Sequence, residues 1–261
     1  MFPERLSAAA IRKGLKTGVL GRRVLLLERT ASTMDVARQE AERGAPEGLL
    51  VLAEEQTAGR GRFGRRWTSP PGVNLYISLL LRPSLAVLPG LGMAAGLAVA
   101  RALRRTTPCS PLLKWPNDVL LNREKVAGLL IESQVEGERV RYAVLGVGIN
   151  VNWDPTAEPE VAGLATSLSR EVGRTISRLA VLRAFLEEMD ALYTHLREGG
   201  SVWEEWRGLL VTLGQRVRVA WGEQVVEGVA VDVDRSGSLV LQRPDGSTVH
   251  VSAGDVTILK E

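Results

Sequence analysis

The stretch Gly59-Arg60-Gly61-Arg62-Phe63-Gly64-Arg65-Arg66-Trp67 decides which fold this chain can have. Its glycines at 59, 61 and 64 spell GxGxxG, the pattern of a dinucleotide fold. That fingerprint must leave a strand directly and open a helix, because the pyrophosphate sits on the helix N-terminus. Here Glu54–Ala58 separate the loop from the preceding apolar run, Leu49–Ala53, and Trp67-Thr-Ser-Pro-Pro-Gly72 follows it. Paired prolines and a glycine do not open a helix there. A P-loop fails as well: Gly59…Gly64-Arg65-Arg66 lacks both the lysine and the Ser/Thr that holds magnesium. The segment is instead a mobile loop of glycine and arginine, outside any Rossmann or Walker unit.

Such a loop suits phosphate. Glycines let backbone N–H groups approach closely, and guanidinium groups give bidentate contacts to phosphate or carboxylate oxygens. On the loop alone, a nucleotide loop, a nucleic-acid patch and a solvated basic turn stand level. Composition adds to the charge argument. The 261 residues carry 33 Lys+Arg against 30 Asp+Glu, a net charge of +3, with a pI near 9.3. Five of the cations are lysines (13, 16, 114, 125 and 260), so 28 are arginines and stay charged. Residues 1–70 hold 13 basic and 8 acidic residues, net +5, more than the whole chain. A phosphate-bearing partner is the first expectation.

Several chemistries drop out. With 45% hydrophobic and 24% charged residues the chain reads as a globular protein, and its length allows one large domain or a large and a small one. A single cysteine, Cys109, excludes an internal disulfide and a multi-cysteine metal site, and points to a reducing, cytoplasmic setting. Two histidines, His195 and His250, are a poor basis for a zinc site or for histidine catalysis. The longest apolar run, Leu85–Ala100, is interrupted by Pro89, Gly90 and Gly92 and falls short of the roughly 20 residues a span needs. The basic N-terminus through Arg23 contains Glu4 and lacks the serines of a transit peptide.

Strands and helices alternate around the loop. Val24–Leu27, Leu49–Ala53 and Leu75–Leu81 read as strands. Ser32-Thr-Met-Asp35 reads as a helix start with Ser32 as N-cap and Asp35 as its capping-box partner, and Gly44 as the stop. Leu91–Arg105 is a buried helix, and Arg178–Arg197 an amphipathic one with Leu179, Leu182, Leu186, Met189 and Tyr193 at helical spacing. Val119–Leu121 and Val126–Glu132 flank Asn122-Arg-Glu-Lys125, read as a hairpin turn, and Arg141–Ile149 alternates. Trp203 and Trp206 fall in a short helix. Residues 214–261 change texture: four short strands with turns at Gly222, Ser236-Gly237 and Asp245-Gly246 predict a small β-barrel.

Lys114-Trp-Pro-Asn-Asp118 and Lys125-Val-Ala-Gly128 add two lysines, a proline-stiffened turn and a carboxylate. Together with Ser32-Thr33, Gln56, the glycine–arginine loop and Gly146-Val-Gly-Ile-Asn150, this set resembles the biotin protein ligases, from about Leu6 to the C-terminus. The resemblance implies an α+β fold: a mixed sheet flanked by helices, the class II synthetase-like biotin/lipoate ligase catalytic domain, over residues 1–212. A small SH3-like β-barrel would follow over 213–261. It implies that biotin is activated with MgATP to biotinyl-5′-AMP and passed to a lysine of the biotin carboxyl carrier protein of acetyl-CoA carboxylase or a related carboxylase. Such chemistry needs positive charge around the reacting phosphate and no cysteine or histidine nucleophile.

Residue by residue, the resemblance implies that Arg62 and Lys125 are catalytic. Biotin would be held by Ser32, Thr33, Gln56, Gly59, Arg60, Trp67, Lys125, Gly128 and Gly148. ATP or adenylate would be held by Arg60, Arg62, Arg65, Trp67, Asn117, Lys125 and Asn150, with Asp118 on magnesium. Each has a plainer reading: Ser32 as a helix cap, Trp67 as core, Asp118 as a turn cap, Lys125 as hairpin-turn decoration. Phe63 stands where the family more often has arginine. About 22 residues precede Val24, too few for the winged helix-turn-helix of the family's repressors, so no operator DNA is expected, and a homodimer is compatible with the pattern. The rivals are a lipoate or octanoate ligase, which shares the catalytic fold, and an arginine-rich nucleic-acid module.

Overall fold

A computed structural model describes residues 4–259; residues 1–3 and 260–261, at the outer ends of the two expected domains, lie outside the described residues. Helices α1 (Ala8–Arg12), α2 (Thr33–Glu42), α3 (Leu91–Thr106), α4 (Leu168–Val172), α5 (Arg178–Arg197) and α6 (Trp203–Gly208) accompany two sheets. Strands β1 (Arg23–Thr30), β2 (Leu49–Gln56), β3 (Leu75–Leu81), β4 (Leu112–Lys114), β5 (Asp118–Leu121), β6 (Glu124–Glu136) and β7 (Arg139–Ile149) form the larger sheet. Its order is β1-β2-β3-β7-β6-β5-β4. Only β1 and β2 run parallel, and α2 makes the crossover that a parallel pair requires. This is the mixed, helix-flanked sheet of the sequence reading.

The two faces of the sheet are built differently. Side chains alternate with period two, so Leu75, Ile77, Leu79 and Leu81 of β3 share a face with Leu145, Val147 and Ile149 of β7. They pack with Leu97 of α3 and Phe185 and Leu186 of α5 in the main core. On the other face Leu80 and Val144 meet Met34, Ala37 and Ala41 of α2. Beyond the reach of α2, the same face continues with Tyr76 of β3, Gly146 and Gly148 of β7, and Gly128 of β6, with Ser78 of β3 buried behind Thr33. Small residues there leave an open floor, and the site lies on it.

Strands β8 (Arg216–Trp221), β9 (Gln224–Val233), β10 (Leu239–Gln242), β11 (Thr248–Val251) and β12 (Asp255–Ile258) form an antiparallel sheet in the order β11-β10-β9-β8-β12. The sequence reading finds four of these; β12 pairs with β8 and is a short edge strand. Val217, Val219, Leu239 and Leu241 are buried in the same apolar cluster as the main core. Trp115 Nε1 donates to the Gly237 carbonyl at 2.8 Å and Trp203 Nε1 to the Asp234 carbonyl at 2.7 Å, tying the two sheets together. The apolar run Leu85–Ala100 leads into α3, and no helix among the described residues is long and apolar enough to cross a membrane.

Two local readings are corrected. The hairpin turn between β5 and β6 is tighter than expected: Asn122 and Arg123 alone take the left-handed conformation (φ 48° and 71°), so Lys125 lies in β6 and not in the turn. Ser32 does occupy the N-cap of α2, but its hydroxyl makes no capping hydrogen bond. Asp35 does not complete a capping box, because its carboxylate is taken by Arg38 and Arg60.

Candidate active site

The open floor is the base of a cleft of about 1590 Å3. Its sides are the N-terminus of α2, the glycine–arginine loop, the β5–β6 hairpin and the end of the smaller sheet, Asp255–Leu259. Ser32, Thr33, Gln56, Arg60, Arg62, Arg65, Trp67, Asn117, Asp118, Lys125, Gly128, Gly148 and Asn150 all line it. Gly59 does not. It sits at the base of the loop, where a side chain would strike the Trp67 carbonyl at 2.5 Å. Of the four buried polar side-chain atoms without a partner among the described residues, three belong to residues lining this cleft: Arg60 Nε, Trp67 Nε1 and Asn150 Oδ1. Buried polar groups are normally satisfied, so such a concentration marks a place prepared for a ligand.

One wall is polar and preset. The Thr33 amide and hydroxyl both donate to Gln56 Oε1, at 2.8 and 3.0 Å, and Ser78 Oγ donates to Thr33 Oγ1 at 2.8 Å. Gln56 Nε2 donates in turn to Ser69 Oγ at 3.2 Å. Ser32, relieved of capping, keeps its hydroxyl for the cleft.

The loop is held where the sequence reading has it mobile. Gly61 N–H donates to the Arg65 carbonyl at 2.7 Å and Trp67 N–H to the Gly59 carbonyl at 2.9 Å, closing a small hairpin with Phe63 in a left-handed conformation (φ 54°) at its tip. Arg60 pairs with Asp35 at 2.8 Å and with Glu132 at 3.6 Å. Arg62 donates to the Gly254 carbonyl at 3.0 Å, and Arg65 pairs with Asp255, both on the smaller sheet's side. Burial pulls the Arg62 pKa down from its ordinary value, and the nearby charges of Asp118 and Asp255 oppose the pull. The guanidinium remains charged, and an anion arriving beside it would relieve its partial desolvation.

Opposite the polar wall, Lys125 Nζ lies 2.5 Å from Asp118 Oδ1 and 5.3 Å from the centroid of the Trp67 ring. The ring itself rests on the glycines. A methyl on Gly148 would lie 2.5 Å from Trp67 Cε2, and one on Gly128 would lie 2.9 Å from Trp67 Cζ3. These two glycines thus admit an aromatic side chain of the chain itself. Two amides are also committed: Asn117 Nδ2 donates to the Leu129 carbonyl at 2.7 Å, and Asn150 Nδ2 to the Thr166 carbonyl at 3.0 Å. Asp118 is the carboxylate paired with Lys125, and no group of three His, Cys, Asp or Glu side chains fit to hold a metal occurs among the described residues.

Residues 26–150 match the family model described as the biotin/lipoate A/B protein ligase family, and residues 212–259 match the biotin protein ligase C terminal domain. The chain is 37% identical over 243 residues to the biotin–[acetyl-CoA-carboxylase] ligase of Mycobacterium tuberculosis, covering 90% of this chain and 84% of that one. The chain belongs to the biotin protein ligase family. A second relative, the biotin–[acetyl-CoA-carboxylase] ligase of Paracoccus denitrificans, is 34% identical over 238 residues, 87% of this chain and 98% of that one. Among solved structures, the biotin protein ligase from Aquifex aeolicus in complex with biotin and ATP superposes with a TM-score of 0.76 at 28% identity, covering 92% of this chain and all of that one.

In this biotin protein ligase family member, several residues that hold the cleft's walls in place carry no motif. Ser78 is one polar residue within Leu75-Tyr-Ile-Ser-Leu-Leu-Leu81, and that interruption of an apolar strand was the available signal. Ser69 lies between Thr68 and Pro70 in a stretch read only as a helix breaker. Asp35, Glu132 and Asp255, the partners of the loop arginines, are far apart in sequence, and nothing local announces them.

Proposed function

We propose that this chain activates biotin with ATP, forming biotinyl-5′-AMP and pyrophosphate, and then transfers biotin to one lysine of a biotin carboxyl carrier protein of acetyl-CoA carboxylase or a related carboxylase. One observation carries the reading. A polar wall at Ser32, Thr33 and Gln56 faces a cationic side at Arg62, Arg65 and Lys125 across a glycine floor, in a chain whose solved relative holds biotin and ATP. In the first step a carboxylate oxygen attacks the α-phosphorus, the bond to the β-phosphate bridging oxygen breaks, and pyrophosphate leaves. In the second, the lysine amine attacks the acyl carbon, AMP leaves, and an amide forms.

Lys125 is assigned to the attacking carboxylate and the α-phosphate, where its charge offsets the negative charge gathering in the transition state. Binding replaces the chain's own acceptors by the ligand's: phosphate oxygens take the places of Asp118 on Lys125 and of the Gly254 carbonyl and Asp255 on the loop arginines. Arg62 then closes on the adenylate and keeps it from water. Ser32, Thr33 and Gln56 are assigned to the ureido ring of biotin, and Trp67 to the side of both ligands. Asp118 suits Mg2+ as the single protein carboxylate of a site completed by phosphates and water, the habit of that ion. Bound there, Mg2+ would neutralise phosphate charge.

Catalysis is assigned to residues 1–212, and bracing of the loop to residues 213–261. Operator DNA forms no part of the proposal, and the free thiol Cys109 suits the cytoplasm. The test is direct. Biotin and MgATP should give stoichiometric pyrophosphate and a biotinyl-AMP mass, and a carrier domain should gain biotin. Lipoate in place of biotin should give neither. Pyrophosphate release with lipoate at the biotin rate would favour the lipoate reading, and no release with either would overturn ligation.

A further inference from the structure

Four side chains and one carbonyl form a single hydrogen-bonded chain along the polar wall. It runs from Ser78 to Thr33 (2.8 Å), to Gln56 (3.0 Å), to Ser69 (3.2 Å) and to the carbonyl of Trp67 (3.1 Å). It begins at the fully buried Ser78, on β3 opposite Gly146 of β7, and ends on the residue whose ring covers the glycine floor.

The chain has one direction. The Thr33 N–H is only a donor and meets Gln56 Oε1 at 2.8 Å, which fixes that atom as the acceptor. The Thr33 hydroxyl must then donate to the same oxygen, and having one proton it can only accept from Ser78. At the other end Gln56 can only donate to Ser69, whose proton goes to the Trp67 carbonyl. Ser78 and Thr33 are 0% and 2% exposed, so water does not compete for these bonds. In such a setting an unmade hydrogen bond is expensive, and the chain stands or falls together.

We infer that Ser78 is a positioning residue for ligand choice: it never lines the cleft, yet by donating to Thr33 it holds in place the wall that the Thr33 N–H orients and the ligand meets. With the chain set, Gln56 keeps one free amide proton, Ser32 keeps its hydroxyl, and Thr33 offers only a lone pair. This is a complement to a cyclic urea, which has a carbonyl to accept and N–H groups to donate. A dithiolane ring satisfies none of it, and unanswered polar groups discriminate strongly. The inference rests on the biotin reading above and adds to it a residue buried behind the wall. It also links the wall to the loop, since the last bond of the chain anchors Trp67.

The experiment measures biotin and lipoate affinity by calorimetry, without ATP, for the full chain and for Ser78→Ala, Ser69→Ala and the double variant. Adenylation kinetics are followed in parallel. Ser78→Ala should weaken biotin about tenfold, the scale of one lost buried hydrogen bond, and raise KM for biotin by the same factor with kcat held within about twofold. Lipoate affinity should not change, so the preference for biotin narrows. The double variant should lose little more than the worse single one, because both cut the same chain. If Ser78→Ala does not fold, Ser69→Ala, at the chain's less buried end, must show the same split between KM and kcat. Unchanged biotin affinity in a folded Ser78→Ala, equal losses for biotin and lipoate, or additive effects in the double variant would overturn the inference. Failure of the unaltered chain to bind biotin would instead overturn the biotin reading.

Discussion

Gly148→Ala tests the packing on which the cleft depends. Gly148 sits in β7 between Tyr76 of β3 and Gly128 of β6, paired on both sides. The added methyl would lie 2.5 Å from Trp67 Cε2 and 2.6 Å from Cζ2 and Nε1. Nonbonded carbons settle at about 3.5 Å, so ring and methyl must separate by about 1 Å. A central strand cannot give way, whereas Trp67 belongs to a loop and can. Overpacking of this kind costs about 1–3 kcal/mol, or about 5- to 150-fold in an equilibrium that requires the closed ring. The cost falls on the loop's closed position, so the fold is spared and Tm should drop by less than about 4 °C. The assay is biotin-dependent pyrophosphate release, with kcat/KM expected to fall by about 5- to 150-fold. Trp67→Ala should lower kcat/KM at least as far, and adding Gly148→Ala to it should cause no further loss, because the methyl then meets no ring. Unaltered kinetics in a folded Gly148→Ala variant would refute the claim that the glycine exists to admit this ring.

Lys125→Ala removes the charge assigned to the reacting phosphate and should lower pyrophosphate release by about two orders of magnitude or more; near-normal turnover would leave Lys125 as the partner of Asp118 and nothing else. Arg62→Gly should let biotinyl-AMP escape, read out as biotin appearing on lysines of a bystander protein, and unchanged selectivity would remove the containment role. Asp234 makes the smaller sheet acid-sensitive. Burial works to raise its pKa, but hydrogen bonds from Ser236, His250 and the Ser238 N–H outweigh it and bring the pKa from 3.8 to about 2. Because the folded value is the lower one, this stabilisation is complete above 3.8 and is lost as pH falls towards 2. Asp234→Asn should therefore flatten the decline of Tm across that window, and an identical decline in the variant would contradict the assignment.

Long, strongly patterned elements were legible from residues alone. Leu75–Leu81 and Arg178–Arg197 fall where their patterns put them, since six apolar residues in seven and a five-turn apolar stripe leave little choice. The elements missed were short: α1 and α4 have five residues each, β4 three and β12 four. Tertiary pairing creates these, and a few residues cannot carry a period. The loop's composition was visible, but its restraint was not. Asp255 stands 190 residues from Arg65, and no local rule joins them. Gly148 and Gly128 belong to the motifs the sequence shows; that Trp67 is what rests on them depends on how the loop folds back. Lys125 was placed in a turn because a two-residue turn with Asn122 and Arg123 both left-handed lacks the usual glycine.

The central claim is that the cleft joins biotin to AMP before any acceptor protein is involved. The decisive measurement is pyrophosphate release from ATP, with and without biotin and with no carrier protein present, followed by mass analysis of the bound product. The account predicts one equivalent of pyrophosphate per chain, strictly dependent on biotin, with biotinyl-AMP retained. ATP turnover that ignores biotin, or no pyrophosphate at all from a folded chain, would contradict it.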